Sequence, residues 1–313
     1  MKMVFNNRPG GSCSVIPGPT PSRGYSALVI SGQPGTPGRV AALAAICTAA
    51  LLVGGCGGDA QMDPEPGRMI ASYDDATTPE AIRGRAMMQN SKLLEGLAAD
   101  VNDSLKLPRD VALIGQQCGQ ANAGWNKTEN RIRICYELAD LNLRLFDKDP
   151  NDGEALGELS QPAAYAAAVD ALYAVFFHEL GHAVISLYDL PFTGREEDVA
   201  DQLAAFVVLE ADDFLTDFPD AARVMEAYAA MFDKWAALRG TADASDFAEA
   251  HSLNEARMFN LRCWIYGSDP AAHADMIADG SLPEARAAGC PEEYQQLRKA
   301  WSTLLAPYIV RPN

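Results

Sequence analysis

From Ser160 to Tyr188 the chain is almost entirely alanine and large apolar residues, and the run holds Phe177-His178-Glu179-Leu180-Gly181-His182-Ala183-Val184. Ser160-Gln161-Pro162 supplies a helix start and Leu190-Pro191 a stop, so the segment is expected to be one long helix ending near Tyr188. On a helix, residues four apart project from the same face, which places His178 and His182 one above the other. A helix with two imidazoles on one side must pack its remaining apolar surface against other elements and leave that side at a cleft. Two neutral imidazoles on one face can hold a metal ion, for which Zn2+ is the expected cofactor. Glu179 follows the first histidine and suits a carboxylate that takes a proton from water rather than binding the metal. Only 4 histidines occur in 313 residues, so chance is a poor explanation for this spacing.

The third ligand is sought just after that helix. Thr193 and Glu196 have the spacing of a capping box, in which Glu196 reaches back to the N-cap amide and Glu197 is left free. On a helical wheel Glu197, Asp201, Ala204 and Val208 share one face, and the small Ala204 permits close approach to the first helix. Glu197 is therefore the expected oxygen ligand. Asp201 is expected one turn away, accepting the second ring N–H of a ligating histidine.

Charge is unevenly distributed. Residues 1 to 58 contain no acid and four basic residues, Lys2, Arg8, Arg23 and Arg39. All 42 acidic residues lie beyond them with 21 basic ones, a net of −21, and such a surface repels nucleic acid and anionic lipid. The acid-free start reads as a targeting segment over residues 1–55. Arg39 precedes an apolar run from Val40 to Val53, too short for a membrane span of about 20 residues and suited to the core of a secretory signal. Val53-Gly54-Gly55-Cys56 resembles a bacterial lipobox, in which Cys56 is lipidated. Residues 56–77 are polar and read as a flexible tether, and residues 78–313 as a single domain. The expectation is an exported lipoprotein facing the periplasm or cell exterior, with the membrane engaged only through that anchor.

Cysteine usage agrees with export. Removing Cys13, Cys47 and Cys56 from the seven leaves Cys118, Cys135, Cys263 and Cys290. An even remainder predicts two disulfides with three possible connectivities. The sequence-local pairing, Cys118 to Cys135 and Cys263 to Cys290, closes short loops worth about 3 kcal/mol each. A structural zinc on the four cysteines is the competing reading, weakened by the lack of any C-x-x-C spacing.

Along the domain, Thr78-Pro79 starts a helix expected to run to about Leu105. Val111 to Ile114 reads as a strand, and Arg131 to Tyr136 alternates as a half-exposed strand at the edge of a cleft, arginines one way and isoleucines the other. The rest is helical. His251 reads either as a surface helix histidine or as a donor that steadies an oxyanion formed during catalysis, and Tyr266 and Arg257 are further candidates for that role. His273 reads as structural, and the helices beyond Ala221 as scaffold.

The run His178 to His182 followed by Glu197 to Asp201 resembles the gluzincin arrangement of zinc peptidases, H-E-x-x-H with a downstream E-x-x-x-D. Together with Arg133 to Leu138, Gly194 to Leu203 and Cys263 to Pro270, it is similar to a bacterial putative metallopeptidase family, otherwise a domain of unknown function, over roughly residues 75 to 310. The resemblance implies an α+β, mostly helical, zincin-like fold in which a small antiparallel sheet packs over the metal helix. It also implies peptide or protein substrates. The function expected is hydrolysis of peptide bonds by metal-activated water with Glu179 as general base. The alternatives are a zinc-holding lipoprotein or degenerate peptidase that binds partners without cleaving them, and metal-dependent hydrolysis of a non-peptide bond.

Overall fold

The computed structural model of the chain describes residues 66–147, 162–210 and 220–310. Cys56, the targeting segment and residues 56–65 of the expected tether lie outside them. The last part of that tether is corrected by the structure: Met69–Tyr73 is a strand, β1. Met69 is buried, and its peptide is clamped on both sides by the Asn102 amide, at 2.7 Å to the N–H and 3.0 Å to the carbonyl. A five-residue edge strand is too short for its alternation to stand out from polar surroundings.

Thr78 caps α1 (Pro79–Asn90), its side chain accepting from Ala81 N. The single helix expected to reach Leu105 is in fact two, because α2 (Leu93–Ser104) starts afresh after Lys92, which sits at φ 50°. Ser91 Oγ donates to the Met87 carbonyl at 2.9 Å, a local side-chain bond that competes with continuation of the helix. Leu93, Leu94, Leu97 and Val101 of α2 are all buried.

Three more strands follow: β2 (Val111–Gln116), β3 (Ala123–Asn126) and β4 (Arg131–Cys135). The sheet order is β1-β2-β4-β3, with β1/β2 and β2/β4 parallel and β3/β4 antiparallel. The sheet is thus mixed rather than antiparallel. Helices α1 and α2 form the crossover that parallel pairing of β1 with β2 requires. The expected edge position of β4 is also corrected, since β4 is paired on both sides and Ile132 and Ile134 are 0% exposed. The edge beside β4 is β3, whose four residues include a glycine and carry too little pattern to be read as a strand. Arg131 and Arg133 do face away from the isoleucines.

Helix α3 (Tyr136–Phe146) follows β4 directly. The remaining long helices are α4 (Pro162–Tyr188), α5 (Glu196–Leu209), α6 (Ala221–Arg239), α7 (Asn254–Ser268) and α8 (Cys290–Leu305). The fold of the described residues is therefore mostly helical with one small mixed sheet. Helix α4 is long and apolar enough to pass for a membrane span, but 83% of its most apolar window is buried within the protein. Being apolar all round, it takes the central position, packed by α3, α5, α6 and β3. The two disulfides are the sequence-local pairs: Cys118–Cys135 joins the ends of β2 and β4, and Cys263–Cys290 joins α7 to α8.

Candidate metal centre

The site is built where α4 and α5 come closest. A Cβ placed on Gly181 would lie 2.8 Å from Ala200 Cα, so only glycine lets the two helices meet at this depth. Gly181 lies between Glu179 and His182 in the motif, and Ala200 lies one turn after Glu197. The close approach therefore brings the start of α5 onto the histidine face of α4. The expected capping box does not form: α5 begins at Glu196, its N-cap is Arg195, and that cap has no side-chain hydrogen bond. Glu196 instead takes a ring nitrogen, His182 Nδ1, at 2.9 Å. Asp201 stands 2.8 Å from His178 Nδ1.

These two contacts set the tautomers. A carboxylate only accepts, so each Nδ1 carries the proton and each Nε2 of the neutral ring presents a lone pair. The two Nε2 atoms are 3.3 Å apart, and each is 3.2 Å from Glu197 Oε2. When both rings are neutral, three lone-pair donors thus converge. Tetrahedral zinc with bonds of roughly 2.0–2.1 Å requires donor separations of about 3.3–3.4 Å, so the triangle fits such an ion. His251 Nε2 lies 2.7 Å from the same Glu197 oxygen. That is a hydrogen-bond distance, shorter than two donors on one tetrahedral ion adopt. His251 therefore reads as a donor beside the triangle rather than a fourth corner, and Arg195 Nη1 reaches its carbonyl at 3.4 Å.

Behind His178 sits a buried network. The Arg257 guanidinium holds both oxygens of Asp201 at 2.7 Å, and Tyr228 donates to Asp201 Oδ1 at 3.0 Å. The guanidinium also lies 3.9 Å from the Phe232 ring centroid. Burial alone would push the Asp201 carboxyl up, but Arg257 and His178 hold it well below the usual carboxylate range. Glu197 is treated likewise: burial opposes its charge, and the contacts with His178, His182 and His251 outweigh that and hold its pKa far down. Burial opposes a charge on His182 as well, yet Glu196 and Glu197 lift it from 6.5 to about 10. His178 is raised by Asp201 against the same opposition from burial. The ionised carboxylates draw positive charge to this spot: in the metal-free protein the imidazoles supply it by taking up protons, and a bound cation would replace those protons.

Glu179 is 6% exposed and, among the described residues, its side chain makes no hydrogen bond. It faces a cleft of about 320 Å³ shared with His178, His251, Tyr228 and Arg257. The far wall is apolar, with Ala123 from β3, Leu138 from α3 and Met231 and Trp235 from α6. Tyr266 is not brought to this cleft. It lies nine residues beyond Arg257 on α7, half a rotation around the helix, and packs partly buried against the core. The phenol that does reach the site is Tyr228. Cys118, Cys135 and Glu137 also cluster, but the two cysteines are joined in a disulfide and offer no thiolate.

Glu196 and Tyr228 are the residues that sequence reasoning missed, and Arg257 had only a weak claim. For Tyr228 there was a signal: Tyr228, Met231, Phe232 and Trp235 recur at i, i+3, i+4 and i+7. That spacing is equally the mark of a core face, and it does not set Tyr228 apart within helices that read only as scaffold.

Residues 73–305 match the model of a family described as "Putative metallopeptidase", and the chain belongs to that family. No curated protein and no solved structure matches the chain.

Proposed function

We propose that this member of the metallopeptidase family is a zinc-dependent peptidase in which His178, His182 and Glu197 hold the metal and Glu179 is the general base. One observation carries the reading: two imidazole Nε2 atoms and a carboxylate oxygen converge with separations of 3.2–3.3 Å, the spacing that tetrahedral zinc takes. When bound there, zinc supplies Lewis-acid polarisation of a carbonyl and lowers the pKa of water to about 7. Glu179, buried at the cleft with no competing hydrogen bond, takes the proton from the attacking water and passes it to the leaving amine. His251 donates to the oxyanion as the carbonyl carbon becomes tetrahedral. Arg257 and Tyr228 keep Asp201 oriented, and Asp201 and Glu196 keep both imidazoles turned with Nε2 inward.

The peptide lies along β3, whose outer edge is unpaired among the described strands. Main-chain hydrogen bonds there hold an extended substrate without demanding one sequence. The docking edge is thus Ala123–Asn126 rather than β4, whose Ile132 and Ile134 are fully buried. A side chain next to the scissile bond enters the apolar part of the cleft between Leu138, Met231 and Trp235.

Export and anchoring through Cys56 belong to the same proposal. Two disulfides suit an oxidising compartment.

The test uses zinc-loaded protein and a proteome-derived peptide mixture. Cleavage by the wild type, abolished by chelation, is expected, and Glu179→Gln should keep one equivalent of zinc while losing about 10²- to 10⁴-fold in rate. A Glu179→Gln protein that holds zinc and cleaves as fast as wild type removes the general-base assignment. Zinc retention by a wild-type protein that cleaves nothing in the mixture favours a non-catalytic zinc-binding role.

A further inference from the structure

Among the described residues, Arg133 is a cation without a side-chain partner. It is half-buried on β4, its side chain makes no ion pair or hydrogen bond with them, and its Nε is shielded from solvent. Its neighbour two positions back, Arg131, is paired with Glu129. In a chain with a formal charge of −17, a bare guanidinium on the strand next to the edge calls for an explanation.

Its surroundings supply one. Arg133 pairs across the hairpin with Gly124 of β3. A Cβ on Gly124 would lie 4.0 Å from Arg133 Nη2 and within 4 Å of nothing else, so the guanidinium end reaches over the glycine. Gly124 does not have the positive φ that demands glycine. Neither backbone nor packing requires a glycine here, and what its missing side chain leaves is a path across the edge strand to the end of the Arg133 guanidinium. The preceding residue, Ala123, lines the cleft with His178 and Glu179.

A peptide added to the free edge of β3 places the residue opposite Gly124 on the same face as Gly124 and Arg133. That strand would lie two strand spacings from β4, about 9.5 Å, a gap that an arginine and a carboxylate side chain span together across the bare glycine. The next residue along points the other way, into the cleft.

We propose that Arg133 is a specificity-determining residue that pairs with a carboxylate of the substrate, carried by the residue adjacent to the one that enters the cleft. The inference rests on the peptidase reading and on the peptide lying along β3. The carboxylate is an Asp or Glu side chain or the C-terminal carboxylate of a short peptide, and two experimental arms separate these.

Matched peptides with Glu or Gln on either side of a cleaved apolar residue, amidated at the C-terminus, are compared with their free-acid forms. For wild type, kcat/KM is expected to be roughly tenfold or more higher with the carboxylate, the scale of one charge-assisted hydrogen bond. Arg133→Gln should lose that ratio and cleave the neutral amidated peptide at the wild-type rate, which also reports that it folds. Arg133→Lys should keep part of it. Discrimination confined to the free-acid forms assigns the C-terminus as the source. Equal rates for Glu and Gln peptides in wild type, or an unchanged ratio in Arg133→Gln, overturns the proposal.

Failure of the peptidase reading is recognised separately, as no cleavage of any peptide. The same peptides are therefore also titrated by fluorescence anisotropy against zinc-loaded Glu179→Gln with and without Arg133→Gln. Tighter binding of the acidic peptide that depends on Arg133 supports the pairing, and equal affinities refute it.

Discussion

Replacing Arg257 by methionine tests the buried network behind His178. Arg257 is 5% exposed and Asp201 3%, and the pair is bidentate at 2.7 Å, so the substitution leaves a carboxylate in the interior without its counter-charge. Breaking such a pair from one side costs roughly 3–5 kcal/mol. Asp201 retains hydrogen bonds from His178 Nδ1 and Tyr228, which places the loss near the lower limit. Loss of the guanidinium over the Phe232 ring adds about 0.5–1 kcal/mol, and methionine largely replaces the packing of the stem. The expected total is about 3–4 kcal/mol. For a domain of this size each kcal/mol moves Tm by about 2–4 °C, so the variant should melt roughly 6–16 °C lower. The assay is thermal unfolding of chelator-treated protein at neutral pH, followed by circular dichroism. Asp201→Asn combined with Arg257→Met removes both charges, and the double variant should be more stable than Arg257→Met alone, with a coupling of about 2 kcal/mol. A single variant within about 1 kcal/mol of wild type, or a double variant no more stable than the single one, refutes the reasoning.

Gly181→Ala sets two effects against each other: alanine gains about 1 kcal/mol of helix propensity over glycine, but its Cβ would meet Ala200 Cα at 2.8 Å, and overpacking of this kind costs about 1–3 kcal/mol. The expected result is a net loss of about 0–2 kcal/mol in stability and at least tenfold weaker zinc binding in a chelator competition, because α5 and Glu197 are pushed from the triangle; unchanged affinity contradicts this. In the metal-free protein the pKa of His182 is raised to about 10, above its ordinary 6.5. Its charged form therefore stabilises the fold fully below about 6.5, and that contribution is lost as pH rises through about 10. Chelator-treated protein should unfold more easily in urea at pH 10 than at pH 7. Zinc requires neutral imidazole, so its binding at pH 7.5 should release protons and tighten as pH rises. Calorimetry in buffers of different ionisation enthalpy counts those protons, and a count of zero contradicts the assignment.

What was legible in the sequence was whatever local periodicity determines. The i, i+4 spacing set His178 and His182 on one side of a helix, and the bounds read for that helix agree with α4. The wheel of the next segment put Glu197 and Asp201 on one face, and the structure brings both to the histidines. Short loop closure singled out the disulfide pairing that forms. What was not legible depended on partners distant in the chain. Met69–Tyr73 looks like a tether because its polar residues outnumber the contacts that hold it, and those contacts, with Asn102 and β2, lie more than 30 residues away. Arg131 to Cys135 alternates as an edge strand does, but only the sheet order decides that β3 covers it. Glu196 satisfies the local rule for a capping box and yet bonds His182, because the approach of α5 to α4 offers a ring N–H that a sequence window does not contain. Tyr228 and Arg257 converge on Asp201 from helices 27 and 56 residues further along, and Tyr266, equally suitable as a residue type, faces the opposite way on the same helix as Arg257. The sequence by itself therefore determined which side chains each helix presents together, since helical geometry repeats every few residues. Only the tertiary structure decided which of those faces meet, because that depends on close packing at Gly181 and Ala200 and on burial shared among segments far apart in the chain.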